Sequence, residues 1–226
     1  MSISTRASAA IRGRRQRAGE QIRALRARVR GRSEAERATE YWRSLLSYHE
    51  SNDDPIALER SRWIAEVLVP ELGINSVLEV GTNNGRNIAV IKSTHPEVRV
   101  AGIDVNPRAL ESARKRGVDM ELRLQDANEW TEPPQSWDAV LTMSVLDHIP
   151  DEPVAELAAN IARTARYVIA VELWTSGHGE TARYKYSRDT RALFERQGAR
   201  TLRWELAPGQ YDVELSPLWV YVGEFD

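Results

Sequence analysis

With 226 residues, 42% of them hydrophobic and 28% charged, the chain is long enough for one sizeable core plus an appendage and too short for two ordinary domains. It contains no cysteine, which excludes disulfides, thiolate metal sites and cysteine nucleophiles. The formal charge of -2 conceals an asymmetry: residues 1–40 carry 11 arginines against four glutamates, whereas residues 41–226 carry 20 basic and 29 acidic groups. The two parts should therefore meet different partners. Of the 31 basic residues only Lys92, Lys115 and Lys185 are lysines, a codon skew that points to a GC-rich, bacterial genome.

The first 40 residues lack the apolar stretch of a secretory signal, and Arg14-Arg15 lacks the hydrophobic run that follows a twin-arginine pair. An Arg-rich, acid-poor start is also the composition of a mitochondrial transit peptide, a minor alternative to a cytoplasmic location. No run in the chain approaches the roughly 18 apolar residues of a membrane span. Ile11, Ala18, Ile22, Leu25 and Val29 fall on one narrow helical stripe surrounded by arginines. This is either a solvated, partly frayed helix or a reversible contact with an anionic membrane surface, an acidic protein or a nucleic-acid backbone. The expected plan is a basic, partly flexible helical arm over 1–40, an N-terminal helical lid segment over 41–75, and a main domain over 76–226.

The body alternates strands with helices. "RSRWIAEVLVPELG" (60–73) reads as an amphipathic helix ended by Gly73, followed by apolar segments at 76–80, 98–103, 119–124, 138–143 and 167–173. Helices are expected at about 86–93, 107–116 and 152–164; Asn106-Pro107 and Asp151-Glu152-Pro153 are good helix openings. Buried strands separated by single helices predict an α/β fold with a doubly wound, mostly parallel sheet. After a helix at about 188–197, "RTLRWELA" (200–207) and "PLWVYVGEF" (217–225) have no helix between them, which predicts an antiparallel edge pair.

In such a sheet ligands sit at the carboxyl ends of the strands. After the first strand comes Glu79-Val80-Gly81-Thr82-Asn83-Asn84-Gly85, where a glycine can turn the chain and let a ligand approach the backbone. Asp104 follows the second strand, placed to accept from ribose hydroxyls. Asp126 follows the third, and "MSVLDHIP" (143–150) follows the fourth. A glycine loop with an acid about twenty residues on is also the dinucleotide fingerprint. Its third glycine would stand at 86, however, where the chain has Arg86. Glu79 can orient the loop or meet the cationic end of an amino-acid moiety, and Asp126 suits an adenine amine.

These stretches, "VLEVGTNNGRN" (77–87), "VAGIDVNP" (100–107), "LQDANEW" (124–130) and "WDAVLTMSVLDHIPD" (137–151), occur in order and at the right spacing. Together they resemble the class I S-adenosylmethionine-dependent methyltransferases over about residues 60–226. The resemblance implies a seven-stranded Rossmann-like sheet and S-adenosylmethionine as cofactor. It implies a donor site of Glu79, Gly81, Thr82, Asn83, Asn84, Gly85, Asp104, Val105, Asp126, Ala127 and Met143; Arg60 either meets the donor carboxylate or is a plain surface charge. The loop "GTNNGRN" is similar to a bacterial group with a Gly-Cys-Asn-x-Gly-Arg-Asn first motif, here with Thr82 in place of cysteine. That group is loosely associated with glycan and sugar-nucleotide modification.

Methyl transfer to a hydroxyl needs a base; His148 is best placed to serve, with a suitable pKa, the alternative being a packed histidine making one hydrogen bond, and Asp147 beside it either assists or caps the following turn. Glu172 and His178 are expected in a flexible loop after the fifth strand, which either covers an acceptor or leaves His178 simply exposed. His49, Tyr41 and Trp42 lie in a segment that either forms a lid or packs as a helix. His95 is read as a surface-turn residue. No His/Asp/Glu cluster has metal-ligand spacing, so no metal is expected. The leading expectation is O-methylation of a sugar, glycan or other small polar metabolite. The alternatives are an RNA methyltransferase tethered by its arm, a donor-binding accessory protein that does not catalyse, and a nicotinamide-dependent oxidoreductase. The acidic body, and the lack of an Asn-Pro-Pro-aromatic sequence after the fourth strand, speak against nucleic acid.

Overall fold

The structure, a computed structural model, describes residues 31–47, 53–174, 179–182, 184–210 and 217–226. The chain divides into two compact units, residues 1–37 and 38–226. The arginine-flanked stripe from Ile11 to Val29, together with His49 and His178, lies outside the described residues.

Helix α1 (Glu34–Ser44) opens with a capping box, in which the Glu36 N–H donates to Ser33 Oγ (3.1 Å) and the Ser33 N–H to the Glu36 carboxylate (2.6 Å). It runs unbroken across residue 40. Helix α2 (Pro55–Trp63) starts five residues ahead of the expected helix because Asp54 caps it, accepting from Ile56 N and Ala57 N at 3.0 Å each. It passes through a π-helical turn, Ile64–Leu68, into the short α3 (Val69–Glu71). The proline at 70 has no N–H to give the preceding turn, and the ladder slips there, with Val69 N–H bonding to Ile64 O. His95 Nε2 lies 2.8 Å from the Ala65 carbonyl in that turn, so this histidine is tied to the helix rather than left in a surface turn.

The order is then β1 (Ser76–Val80), α4 (Arg86–Thr94), β2 (Arg99–Asp104), α5 (Pro107–Arg114), β3 (Glu121–Leu124), β4 (Trp137–Met143), a 3-10 turn (Leu146–His148), α6 (Asp151–Thr164) and β5 (Ala165–Leu173). A two-stranded ribbon, β6 (Gly179–Ala182) with β7 (Lys185–Ser187), precedes α7 (Thr190–Glu195), β8 (Arg200–Leu206) and β9 (Leu218–Glu224). The strands form one seven-stranded sheet in the order β3-β2-β1-β4-β5-β9-β8. The first five are mutually parallel, and β9 runs antiparallel to both β5 and β8. The expected edge pair is therefore present, with β9 on the inside.

Alternation along the strands fills two cores. Leu78, Val80, Val140, Val168 and Ala170 pack against α6 and α7, while Val77, Ala139, Leu141, Ile169 and Val171 face α2 and α4. The direction of each end-of-strand side chain follows from this register. Glu79 falls on the α2/α4 face, and Glu172, two residues beyond Ala170, falls on the α6/α7 face.

Candidate donor and acceptor site

The loop after β1 is held by its backbone. Gly81 takes φ +71°, and the N–H groups of Gly81 and Thr82 both donate to Ile103 O at 2.9 Å, docking the turn on β2. Asn83 also sits in the left-handed region (φ 52°), and its N–H donates to Asp104 Oδ2 at 2.8 Å. Asp104 Oδ1 accepts from Asn106 N at 2.7 Å, so a single carboxylate joins the turns after β1 and β2. Burial pushes the Asp104 carboxyl upward, opposed by these backbone donors.

Beneath the loop lies a buried polar network. Glu79, 1% exposed, accepts from Thr82 Oγ1 (2.6 Å) and Asn87 Nδ2 (2.5 Å). Asn87 Oδ1 accepts from the Ser61 hydroxyl (2.6 Å) and Arg86 Nη2 (3.2 Å), and Arg86 Nε donates to Ser61 Oγ (2.9 Å). Burial raises Glu79 to about 7 despite its two hydrogen bonds and Arg86, and burial also lowers the Arg86 guanidinium. Of the two roles expected for Glu79, orienting the loop is the one its bonds perform. Ser61, Arg86 and Asn87 were not expected in the site. Arg86 and Asn87 belong to the "GTNNGRN" motif and open α4, and Ser61 reaches them from α2.

A cavity of about 400 Å³ opens over these carboxyl ends. Gly81, Thr82, Asn83 and Glu79 line it from β1 and its loop, Asp104 and Val105 from β2, Asp126 and Ala127 from the turn after β3, and Met143 from β4. Asn84 and Gly85 do not. Asn84 is buried behind the loop, its carbonyl accepting from Arg116 Nε at 2.5 Å and its amide reaching Asp53 at 3.3 Å. Arg60 lines the cavity from α2 and donates Nη1 to the carbonyl of Gly209, so the β8–β9 loop holds part of it.

Trp42, Thr39 and Ala38 of α1 line the cavity as well. Asn106 Nδ2 donates to Trp42 O (3.1 Å) and Leu45 O (2.9 Å), and Asn128 Nδ2 to Thr39 Oγ1 (3.1 Å), fastening the helix there. The Trp42 indole lies 4.1 Å from the His148 ring, centroid to centroid, tilted by 40°.

His148 lines the cavity, with Nδ1 3.2 Å from Tyr184 O and Nε2 3.6 Å from Asp147 Oδ1. The Tyr184 carbonyl can only accept, which fixes the proton on Nδ1 and leaves the Nε2 lone pair for a proton. Burial lowers the imidazole pKa, against the opposing pull of Asp147. Asp147 itself does not line the cavity; it is 1% exposed and acts on His148 from the Nε2 side.

Glu172 corrects an expectation. Rather than lying in a loop over an acceptor, it is the penultimate residue of β5, 1% exposed. Its Oε2 accepts from the N–H groups of Val145 (3.0 Å), Leu146 (3.1 Å) and Asp147 (3.5 Å). It thus caps the 3-10 turn that carries His148, with burial and neighbouring Asp147 raising it to about 8. Buried Arg188 closes this cluster, donating Nη2 to Ile149 O at 2.5 Å. Among the described residues no three His, Asp or Glu side chains gather as a metal site, and no helix is long and apolar enough to cross a membrane.

Residues 77–168 match the family described as a methyltransferase domain. Among curated proteins, the trans-aconitate 2-methyltransferase of Methylobacterium radiotolerans is 36% identical over 95 residues, which is 41% of this chain and 36% of that protein. Its Escherichia coli (strain 55989) counterpart is 32% identical over 97 residues, 42% of this chain and 38% of that protein. The match therefore spans little more than a third of these relatives. Among solved structures, a SAM-dependent methyltransferase from Leishmania major superposes with TM-score 0.70 at 18% identity, covering 85% of this chain and 83% of that one. Magnesium protoporphyrin IX methyltransferase from Synechocystis PCC 6803, solved with bound SAM, gives TM-score 0.66 at 13% identity, covering 87% and 99%. The fold is that of these methyltransferases.

Proposed function

We propose that this chain is an S-adenosylmethionine-dependent methyltransferase acting on a hydroxyl of a small polar metabolite, a class that includes the sugars and glycans suggested by its first motif. The observation that carries the reading is one cavity running from Asp126 and Asp104, suited to adenine and ribose, to a half-buried histidine whose Nδ1 is held by Tyr184 O. Asp104, Asp126, the Gly81–Asn83 backbone and Arg60 would hold the donor, whose sulfonium supplies an electrophilic methyl. The acceptor oxygen forms the new bond to carbon, the carbon–sulfur bond breaks with its electron pair returning to sulfur, and the hydroxyl proton passes to His148 Nε2. The chain's own part is alignment, exclusion of water by α1, and charge: Asp147 favours the imidazolium formed when the proton arrives.

Calorimetry with S-adenosylhomocysteine against NAD tests the reading; binding of NAD alone would refute it. The proposal extends to a cytoplasmic protein whose basic residues 1–40 make reversible contact with an anionic membrane surface or acidic protein. Removing residues 1–30 should abolish retention on anionic vesicles or acidic partners and leave turnover unchanged; loss of RNA retention with lost turnover would favour an RNA acceptor instead.

A further inference from the structure

Two turns of like composition follow neighbouring strands, Asp104-Val105-Asn106 after β2 and Asp126-Ala127-Asn128 after β3. In each, the aspartate accepts from the N–H of the asparagine two residues on. The distances are 2.7 Å from Asn106 N to Asp104 Oδ1 and 3.0 Å from Asn128 N to Asp126 Oδ1. Both acids and both asparagines line the cavity. The acids are the groups assigned to ribose and adenine; the asparagines send their amides to residues 38–45. Asn106 Nδ2 donates to Trp42 O and Leu45 O at the end of α1, where a helix leaves its carbonyls without helical partners, and Asn128 Nδ2 donates to Thr39 Oγ1. Asn106 thereby caps two helices at once, because its Oδ1 accepts from Arg108 N (3.0 Å) and Ala109 N (3.3 Å) at the start of α5. Only Ala38 of α1 is buried, so the helix rests on these amides more than on an apolar core, as befits an element that opens locally.

The same stretch reaches His148. Trp42 lies with its indole 4.1 Å from the imidazole, and neighbouring Tyr41 lies 5.4 Å from the ring of Tyr184, whose carbonyl holds His148 Nδ1. We propose that Asn106 and Asn128 are positioning residues that seat residues 38–45 on the donor-binding turns, so that donor occupancy brings Trp42 onto His148. The inference rests on the methyltransferase reading and adds to it a link between the donor and acceptor ends of the cavity. A ribose hydroxyl on Asp104 and an adenine amine on Asp126 restrain the two turns, and each restrained turn carries one grip on the helix. A donor that binds better with the helix seated must, by linkage, bind less well when the seat is weakened.

The test uses full-length protein labelled with fluorotryptophan, with the Trp42 fluorine signal assigned through Trp42→Phe. The difference in its shift between H2O and D2O reports how far water reaches the indole. In wild type, saturating S-adenosylhomocysteine should shrink that difference and move the His148 ring-proton signals, assigned through His148→Gln, by the ring current of Trp42. Asn106→Ser keeps a good cap for α5 but removes the amide from α1. It should leave Trp42 open to water and His148 unmoved even at saturation, with S-adenosylhomocysteine bound about three- to tenfold more weakly. Thr39→Val repeats the test on a side chain that caps nothing and should act in the same direction, and Thr39→Ser should restore wild-type behaviour. Shielding of Trp42 by S-adenosylhomocysteine to the same extent in Asn106→Ser and wild type would overturn the proposal, since the ligand would then cover the indole directly. Wild-type affinity in both Asn106→Ser and Thr39→Val would overturn it too. Wild-type protein that binds S-adenosylhomocysteine with an unmoved Trp42 signal refutes this inference alone, whereas absence of binding refutes the methyltransferase reading.

Discussion

Replacing Asp104 by Ala should weaken S-adenosylhomocysteine binding by about 10- to 150-fold. The figure follows from what the carboxylate does. It accepts from Asn83 N at 2.8 Å and Asn106 N at 2.7 Å, with Val105 N–H a further backbone partner, and it lines the cavity where ribose hydroxyls can donate. Hydrogen bonds to a charged group are worth about 1.5–3 kcal/mol in a truncation, and each ~1.4 kcal/mol is tenfold in Kd. The same change removes the carboxylate from the backbone N–H groups of Asn83, Val105 and Asn106. Water entering from the cavity can satisfy the Asn83 donor, so the stability cost should stay near about 1–2 kcal/mol and the protein should remain folded. Asp104→Asn should fall between, because its oxygen can still accept while its amide nitrogen faces an N–H. Calorimetry gives the affinity and a urea titration the stability. A folded Asp104→Ala protein that binds within about twofold of wild type would refute the assignment of this strand end to the ribose.

Other expectations follow from the same geometry. Glu79 at about 7 and Glu172 at about 8 are both raised by burial above 4.5, so their neutral forms favour the folded state. Stability from this source is fully present below about pH 4.5 and is lost as pH rises through about 7 to 8; Glu172→Gln should flatten that decline in urea midpoints, and an unchanged slope would contradict it. His148→Ala should lower label transfer from isotopic donor to cell-extract acceptors by about 10²–10⁴-fold, with S-adenosylhomocysteine affinity held within about twofold. Equal transfer would remove the histidine from the chemistry. Gly81→Ala places a Cβ against the Val145 side chain at a backbone φ of +71° and should cost about 1–3 kcal/mol, read as a lowered Tm; an unaltered Tm would show that the loop can rearrange freely.

The strands, the glycine loop after β1 and the three strand ends that share its cavity were legible because each is a local pattern: an apolar run followed by a turn and a polar residue. What the sequence hid was orientation across the sheet. Glu172 sits in "YVIAVEL", where an acid after a run of apolar residues looks like the onset of a loop. The period of two instead aligns it with Val168 and Ala170, directed at the N–H groups of residues 145–147. Asp54-Pro55 carries the same helix-opening chemistry recognised at Asn106-Pro107, yet the strong apolar stripe beyond residue 60 drew the boundary inward. The β6–β7 ribbon, of four and three residues, is too short for alternation to register, although its approach supplies both Tyr184 and Lys185. Arg86 and Asn87 acquire meaning only once α2 brings Ser61 across 25 positions of sequence to meet them.

The antiparallel insertion of β9 between β5 and β8 also dictates an order of assembly. Strand β8 pairs with β9 and not with β5, so residues 200–206 have no ladder to join until residues 218–224 have been made and have docked on β5. During synthesis the parallel half, β1 to β5, can collapse around its two cores while β8 waits as an unpaired, partly apolar segment. Its Leu202 and Leu206 remain exposed even in the finished sheet. The stretch in greatest need of protection from self-association is thus the one completed last.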